Sequence, residues 1–230
     1  MVFMRQKPSI NLTKWRKLHS VPSNKLLRLK VIEYIENKNW YTNTHQAIKE
    51  HFPNDYHLFS SLLACTSQRN SLKVNVSLAL LSYEYIKNGS DPLTLDYGMA
   101  SPSIKGNIKR VLGGSLPSGN KIKPFTLALL GDLSQIVIDS WMVKLFNLKR
   151  TTPNKTDIKH ISTIITMLSK EFNLKPSEIQ SILWVYAKRE LNETNNKDYE
   201  DYSFFLNEQN KHSCGKMSEC NNVTSIKITL

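Results

Sequence analysis

Lys121 and Asp139 are the residues of this 230-residue chain whose types and setting suggest covalent chemistry. They bracket an apolar segment inside Leu116–Phe146, which reads LPSGNKIKPFTLALLGDLSQIVIDSWMVKLF. A lysine amine is a nucleophile only while neutral, and partial burial among Ile122, Phe125 and Leu127 would lower its pKa. An aspartate ending the aliphatic triplet Ile136-Val137-Ile138, just before Trp141, sits where a helix begins. There it gains from the positive helix end and can stabilise a cationic transition state or take a proton. The plainer reading of Asp139 is a helix N-cap, for which Asp is a preferred residue; on the residues alone, that reading is favoured.

The turn before Lys121 adds a second chemical element. Gly119-Asn120 can take positive φ and expose successive backbone N–H groups at a helix start, an arrangement suited to a phosphate. A short basic helix, Ile104 to Leu112, precedes it and carries Lys105, Lys109 and Arg110. Two helices joined by such a turn can clamp a DNA backbone without reading sequence. The simpler alternative is an ordinary turn between helices.

The elements that must position these groups read as helices throughout. Apolar residues recur at helical spacing in Asn24–Glu36 (Leu26, Leu27, Leu29, Ile32, Ile35), in Thr44–His51, and from Asn54 or Asp55 through Leu58, Phe59, Leu62, Leu63 and Ala64. The polar run Thr66 to Asn70 interrupts, and the spacing resumes from Leu72 to Ile86, with Gly89 as a C-cap. Asp157–Phe172 and a helix opened by Pro176 follow. No strand pattern precedes the terminal VTSIKITL, so the expected fold is all-α: a two-lobed helical bundle with a helix–hairpin–helix motif. The expected organisation is a basic N-terminal arm and helices over 1–54, a core over 55–191, and a polar, partly disordered tail over 192–230.

The net charge of +12 is clustered. Residues 1–30 hold eight Lys/Arg and no acid, and residues 101–150 hold eight against Asp132 and Asp139. Such clustering points to a polyanionic partner, first of all nucleic acid. Three cysteines, Cys65, Cys214 and Cys220, do not make a disulfide framework, and Cys214 and Cys220 have too few companions for a metal site. No run reaches the roughly 18 apolar residues of a membrane span, and the first residues lack a signal-peptide core. A cytoplasmic, DNA-associated monomer is expected, nuclear in a eukaryotic setting. The tryptophans Trp15, Trp40, Trp141 and Trp184 are read mainly as core, with Trp141 kept as a candidate for stacking on a base because it lies so near Asp139.

The order basic helix, Gly hairpin, Lys, apolar helix, aliphatic triplet, Asp, aromatic resembles the helix–hairpin–helix DNA glycosylases of the endonuclease III type. Lys121 and Asp139 have the family's separation, and Ile138-Asp139-Ser140-Trp141-Met142 stands in its aspartate motif. A second block, Leu63 to Asn75, is similar to the family's early Gln-containing segment, with Gln68, Val74 and Asn75 in register. The resemblance covers about Tyr56 to Leu191 and implies double-stranded DNA in a cleft, a damaged or modified base flipped into a pocket, and cleavage of its N-glycosidic bond. It further implies Lys121 as Schiff-base nucleophile with lyase activity, Asp139 as its charge partner, and Gln68 and Arg69 filling the vacated duplex position. Lys105, Lys109, Arg110, Gly119, Asn120 and Lys123 would hold the DNA backbone.

The departures are specific. Pro117 replaces the hairpin's first glycine, Ile122-Lys123 replaces its usual Thr-Ala, and Trp141 replaces the usual His. Lys123 therefore stays open as a rival nucleophile. No four-cysteine iron–sulfur cluster follows, so no cofactor and no metal are expected. A divergent branch of the superfamily, found around phage DNA hypermodification systems, is similar too. It would act on a hypermodified pyrimidine by excision or side-chain exchange. A non-catalytic DNA-binding protein that keeps the hairpin is the third reading.

Overall fold

The computed structural model describes residues 11–191 and 199–214, with side chains to 208 in the last stretch. The described residues form eleven α-helices and no strand, as the all-α reading expects. They are α1 (Leu12–His19), α2 (Asn24–Glu33), α3 (Trp40–His51), α4 (Tyr56–Thr66), α5 (Leu72–Lys87), α6 (Ser101–Leu112), α7 (Ile122–Leu129), α8 (Ser140–Leu145), α9 (Lys155–Phe172), α10 (Pro176–Glu190) and α11 (Tyr202–Cys214). The terminal VTSIKITL, Cys220 and the first ten residues of the basic arm lie outside the described residues.

Helix starts follow the capping chemistry of the sequence. Asn11, Ser23 and Ser71 each accept a backbone N–H of the first turn of α1, α2 and α5. Asn154 and Asp157 form a reciprocal capping box at α9, which therefore begins two residues before the expected Asp157. Asn173 ends α9 in the left-handed conformation, at φ 52°.

Two helices act as hubs. α4 is buried along its whole length from Phe59 to Thr66 and packs against α3, α5, α6 and α7. A helix apolar on every side belongs in a core rather than at a surface, and removing Leu62 or Leu63 by substitution with Ala would cost about 2–5 kcal/mol. α10 plays the same part for α2, α8 and α9 and for the 3-10 turn Ile35–Asn39. α3 touches both hubs.

Three local expectations change. α2 stops at Glu33 rather than Glu36, and its buried residues are Leu27 and Val31, not the wider stripe of the sequence reading. Leu26, Leu29, Ile32 and Ile35 are exposed, because α2 is apolar around most of its circumference and contact with α10 selects the Leu27–Val31–Tyr34 line at spacings of four and three. α3 starts at Trp40, four residues before Thr44, because Trp40 and Tyr41 are both core residues and extend the helix on its buried side. The segment read as a polar tail contains α11, which packs on α3 and α5 and buries Tyr202 and Leu206.

Candidate functional site

A cavity of about 130 Å³ opens between the two hubs. That is close to the roughly 150 Å³ known to admit one benzene-sized ring. One wall comes from the α4–α5 strap (Ser67, Arg69, Asn70, Leu72) and the start of α7 (Lys121, Phe125). The facing wall comes from Val137, Asp139, Ser140 and Trp141 and from α10, which presents Gln180, Ser181, Trp184 and Lys188. Trp40 and Tyr41 of α3 and Tyr202 of α11 close the back.

Lys121 lies at the head of α7, where the chain leaves the hairpin turn. Its Nζ donates to the Ser67 carbonyl at 2.9 Å. Burial pushes its pKa below the ordinary lysine value, and attraction to Asp139 opposes that shift only in part. The ring of Phe125, one turn on, lies 5.9 Å from Nζ and helps keep water away.

Asp139 answers both sequence readings at once. Oδ1 accepts the backbone N–H groups of Trp141 at 3.0 Å and Met142 at 3.1 Å, so it caps α8. Oδ2 accepts the indole N–H of Trp184 at 2.8 Å, which turns the carboxylate toward the cavity that Lys121 also borders. Three donors fix its orientation, so a developing positive charge in the cavity meets an immobile carboxylate.

The strap carries a strained residue at the rim. Arg69 has φ 62°, a left-handed conformation uncommon for residues other than glycine, and its side chain is exposed while still bordering the cavity. Gln68 points elsewhere: it borders α6, accepting from Ser103 Oγ at 2.9 Å, and does not line the cavity. Thr66 and Asn75 hold the strap from behind, through a 2.6 Å bond between their side chains, and the Asn75 amide donates to the Tyr202 hydroxyl.

The turn between α6 and α7 takes positive φ at two of its glycines but not at Asn120, where the sequence reading had allowed it. Gly114 and Gly119 take φ 76° and 114°, and the buried Asn107 amide oxygen of α6 accepts Ser118 N at 2.7 Å. The backbone N–H groups of Gly119, Asn120 and Lys121 donate to no acceptor among the described residues. Lys109, Arg110 and Lys123 are exposed beside this turn and Lys105 is half-buried. Lys123 lies outside the cavity, so the structure brings Lys121, Asp139, Trp141 and Arg69 together and leaves Lys123 with Gly119 and Asn120 on the outer face.

The sequence reading left thirteen of the seventeen lining residues unassigned to a site, among them Trp40, Tyr41, Gln180, Ser181, Trp184, Lys188 and Tyr202. Only α10 offered a signal, since Gln180, Trp184 and Lys188 recur every four residues and so share one face. Of the four tryptophans, Trp15 alone is pure core, packed against Phe146 and His160; the other three border the cavity. Cys65 is buried in α4 with its thiol pKa pushed up to about 12 by desolvation, which makes it unreactive. No cluster of metal-ligating side chains occurs among the described residues, and no helix there is long and apolar enough to cross a membrane.

Residues 33–191, well over half the chain, match a family described as "Family of unknown function (DUF7178)". The chain belongs to DUF7178. The DUF7178 match takes in every lining residue of the cavity except Tyr202, so α11 adds the last wall from outside it. No curated protein and no solved structure matches the chain.

Proposed function

We propose that this DUF7178 protein is a DNA glycosylase with lyase chemistry, acting on a damaged or modified base flipped out of duplex DNA. The observation that carries the reading is a lysine of lowered pKa and an oriented carboxylate bordering one ring-sized cavity beside a basic hairpin. The division of the helices between two hubs supports the two-lobed arrangement with DNA across the cleft. The uncommitted N–H groups at Gly119, Asn120 and Lys121, with Lys105, Lys109, Arg110 and Lys123 around them, suit a phosphate backbone.

In this reading the neutral Lys121 amine attacks the anomeric carbon of the flipped nucleotide. The N-glycosidic bond breaks, and the base departs with the electron pair and gains a proton. Asp139 stabilises the positive charge that builds on the sugar. The aminosugar opens to an iminium ion, loses the proton on the neighbouring carbon, and expels the adjoining phosphate. Water then hydrolyses the imine and restores the lysine. Arg69 at the rim and Trp141 in the wall are placed to prop the duplex and to stack on the base.

Borohydride trapping tests the reading. Wild-type protein with duplex carrying an abasic site or a releasable base should give a covalent adduct, and Lys121→Ala should not. DNA binding without adduct or base release on any substrate would favour a non-catalytic hairpin protein. Loss of the adduct in Lys123→Ala, with Lys121→Ala active, would overturn the nucleophile assignment.

A further inference from the structure

The cavity's polar groups are unequally committed. Its two strongest acceptors are already used: the Asp139 carboxylate takes three N–H groups, and the Ser67 carbonyl takes Lys121. The unused groups are donors. Gln180 is 2% exposed, and its oxygen accepts the Tyr41 hydroxyl at 2.7 Å. Its amide nitrogen has no acceptor among the described residues, and the residue lines the cavity. The indole N–H of buried Trp40, at the back of the cavity, also lacks an acceptor among the described residues. A buried donor without a partner, as at Trp40, is costly, so a ligand that brings an acceptor to these groups gains.

We propose that Gln180 is the specificity residue of this site, reading a carbonyl oxygen on the flipped base through its amide N–H, with Tyr41 fixing the direction in which the amide points. The inference rests on the glycosylase reading above. Which end of a glutamine amide faces a given group follows from hydrogen-bond accounting. The Tyr41 hydroxyl donates to the Gln180 oxygen; with the amide reversed, the phenol proton would lose that acceptor and the amide N–H would turn from the cavity to the phenol oxygen. Burial and the nearby Asp139 hold the Tyr41 pKa well above its ordinary value, so the phenol stays a donor across the working range of pH.

The indole faces beside Gln180 are taken. Lys188 Nζ lies 5.2 Å from the ring centres of both Trp141 and Trp184. The aromatic faces that would attract a cationic base therefore already hold an ammonium group. The ligand is therefore a neutral base with a carbonyl at its pairing edge, not a cationic alkylated purine.

The test compares two pyrimidines whose pairing edges differ at C4, a carbonyl in hydroxyuracil and an amino group in hydroxycytosine, with the matching change at N3, in otherwise identical duplexes. N7-methylguanine serves as the cationic probe. Base release is followed by mass spectrometry, and adduct formation on an abasic duplex, which has no base to read, is followed in parallel. Wild type should release hydroxyuracil about tenfold or more faster than hydroxycytosine, and methylguanine not at all. Gln180→Glu presents an acceptor in nearly the same volume and should bring the ratio to about one or below. Tyr41→Phe frees the amide to turn and should narrow the ratio without reversing it. Circular dichroism checks that both variants fold; if Gln180→Glu does not, Gln180→Met, which removes the amide donor and its oxygen together, should also level the ratio. An unchanged ratio in a folded variant, or rapid methylguanine release, overturns the inference. Adducts on abasic duplex without release of any probe base overturn it while sparing Lys121. Neither adduct nor release overturns the glycosylase reading, and the inference with it.

Discussion

The chain contains two tryptophan–aspartate pairs built on one plan, and they end in opposite roles. In the first, Trp15 donates its indole N–H to Asp157 at 2.8 Å, and Asp157 closes the α9 capping box through the Asn154 N–H. In the second, Trp184 donates to Asp139 at 2.8 Å, and Asp139 caps α8. Both carboxylates therefore serve a helix start and an indole together. Asp157 is 1% exposed and sealed, with Arg150 Nε at 3.3 Å and His19 Nε2 at 3.8 Å. Desolvation lowers the His19 pKa, against the pull of Asp157, and the ring lies 5.5 Å from that of Trp15, one turn back on α1. Asp139 instead borders open volume, with a half-buried lysine across it. Each carboxylate accepts an indole and a helix-start N–H; what stands opposite differs, sealed core at Asp157 and, at Asp139, the cavity for which chemistry is proposed.

Substitutions can break that comparison. The largest effect is expected from Lys121→Ala, which should lower borohydride adduct by about a thousandfold or more while leaving the protein folded. Lys123→Ala should retain the adduct, since that side chain is outside the cavity. Next, Asp139→Asn keeps the oxygen that caps α8 but sets an amide N–H against the Trp184 indole N–H and removes the charge, so stability should fall by about 1–3 kcal/mol while base release per folded molecule falls by about 10²–10³. The matching change at the sealed pair should cost stability alone. Asp157→Ala strands Arg150 and the Trp15 N–H, and should cost about 3–5 kcal/mol in denaturant unfolding with adduct yield per folded molecule preserved. If Asp157 variants lose chemistry and Asp139 variants lose only stability, the roles are assigned the wrong way round.

A pH series sharpens the same contrast. The folded Lys121 pKa is lowered, so its neutral fraction rises as pH climbs through that value and is complete below the ordinary lysine range near 10.4. Adduct formation should rise with pH and level off before that range. The stability term has the matching sign: between the two pKa values the unfolded chain binds the extra proton, so stability rises with pH there. A profile that rises only near the ordinary lysine value would deny that burial activates this amine. The smallest effect is expected from Lys105→Ala or Lys109→Ala. Each should weaken DNA binding about equally across sequences and reduce the salt slope by about one, as read by fluorescence anisotropy at several salt concentrations.

Much of the helical framework was legible in the sequence because caps and hydrophobic spacing are local. Asp139 caps α8, the plainer of its two sequence readings, and Asn11, Ser23 and Ser71 cap α1, α2 and α5 through the same short-range bond. Lys121 and Asp139 were legible as a pair through their spacing around an apolar segment. α2 misled because an apolar residue on a small helix says nothing about which neighbour covers it, and contact with α10 left Leu29 and Ile32 in solvent. Trp40, Gln180 and Tyr202 were not legible as site residues because they are far from Lys121 in the chain and meet it only through the packing of α3, α10 and α11.

By itself, then, the sequence determined that the fold is helical, that the segment leading to Lys121 is basic, and that a lysine and a carboxylate stand at the two ends of one apolar segment. Only the tertiary structure decided that Asp139 faces a cavity while Asp157 is sealed, that Lys121 rather than Lys123 is the desolvated amine, and that Gln180 shares their space. The physical reason is that capping and periodicity act within a few residues, whereas desolvation and the facing of charged groups depend on which distant segments exclude water together.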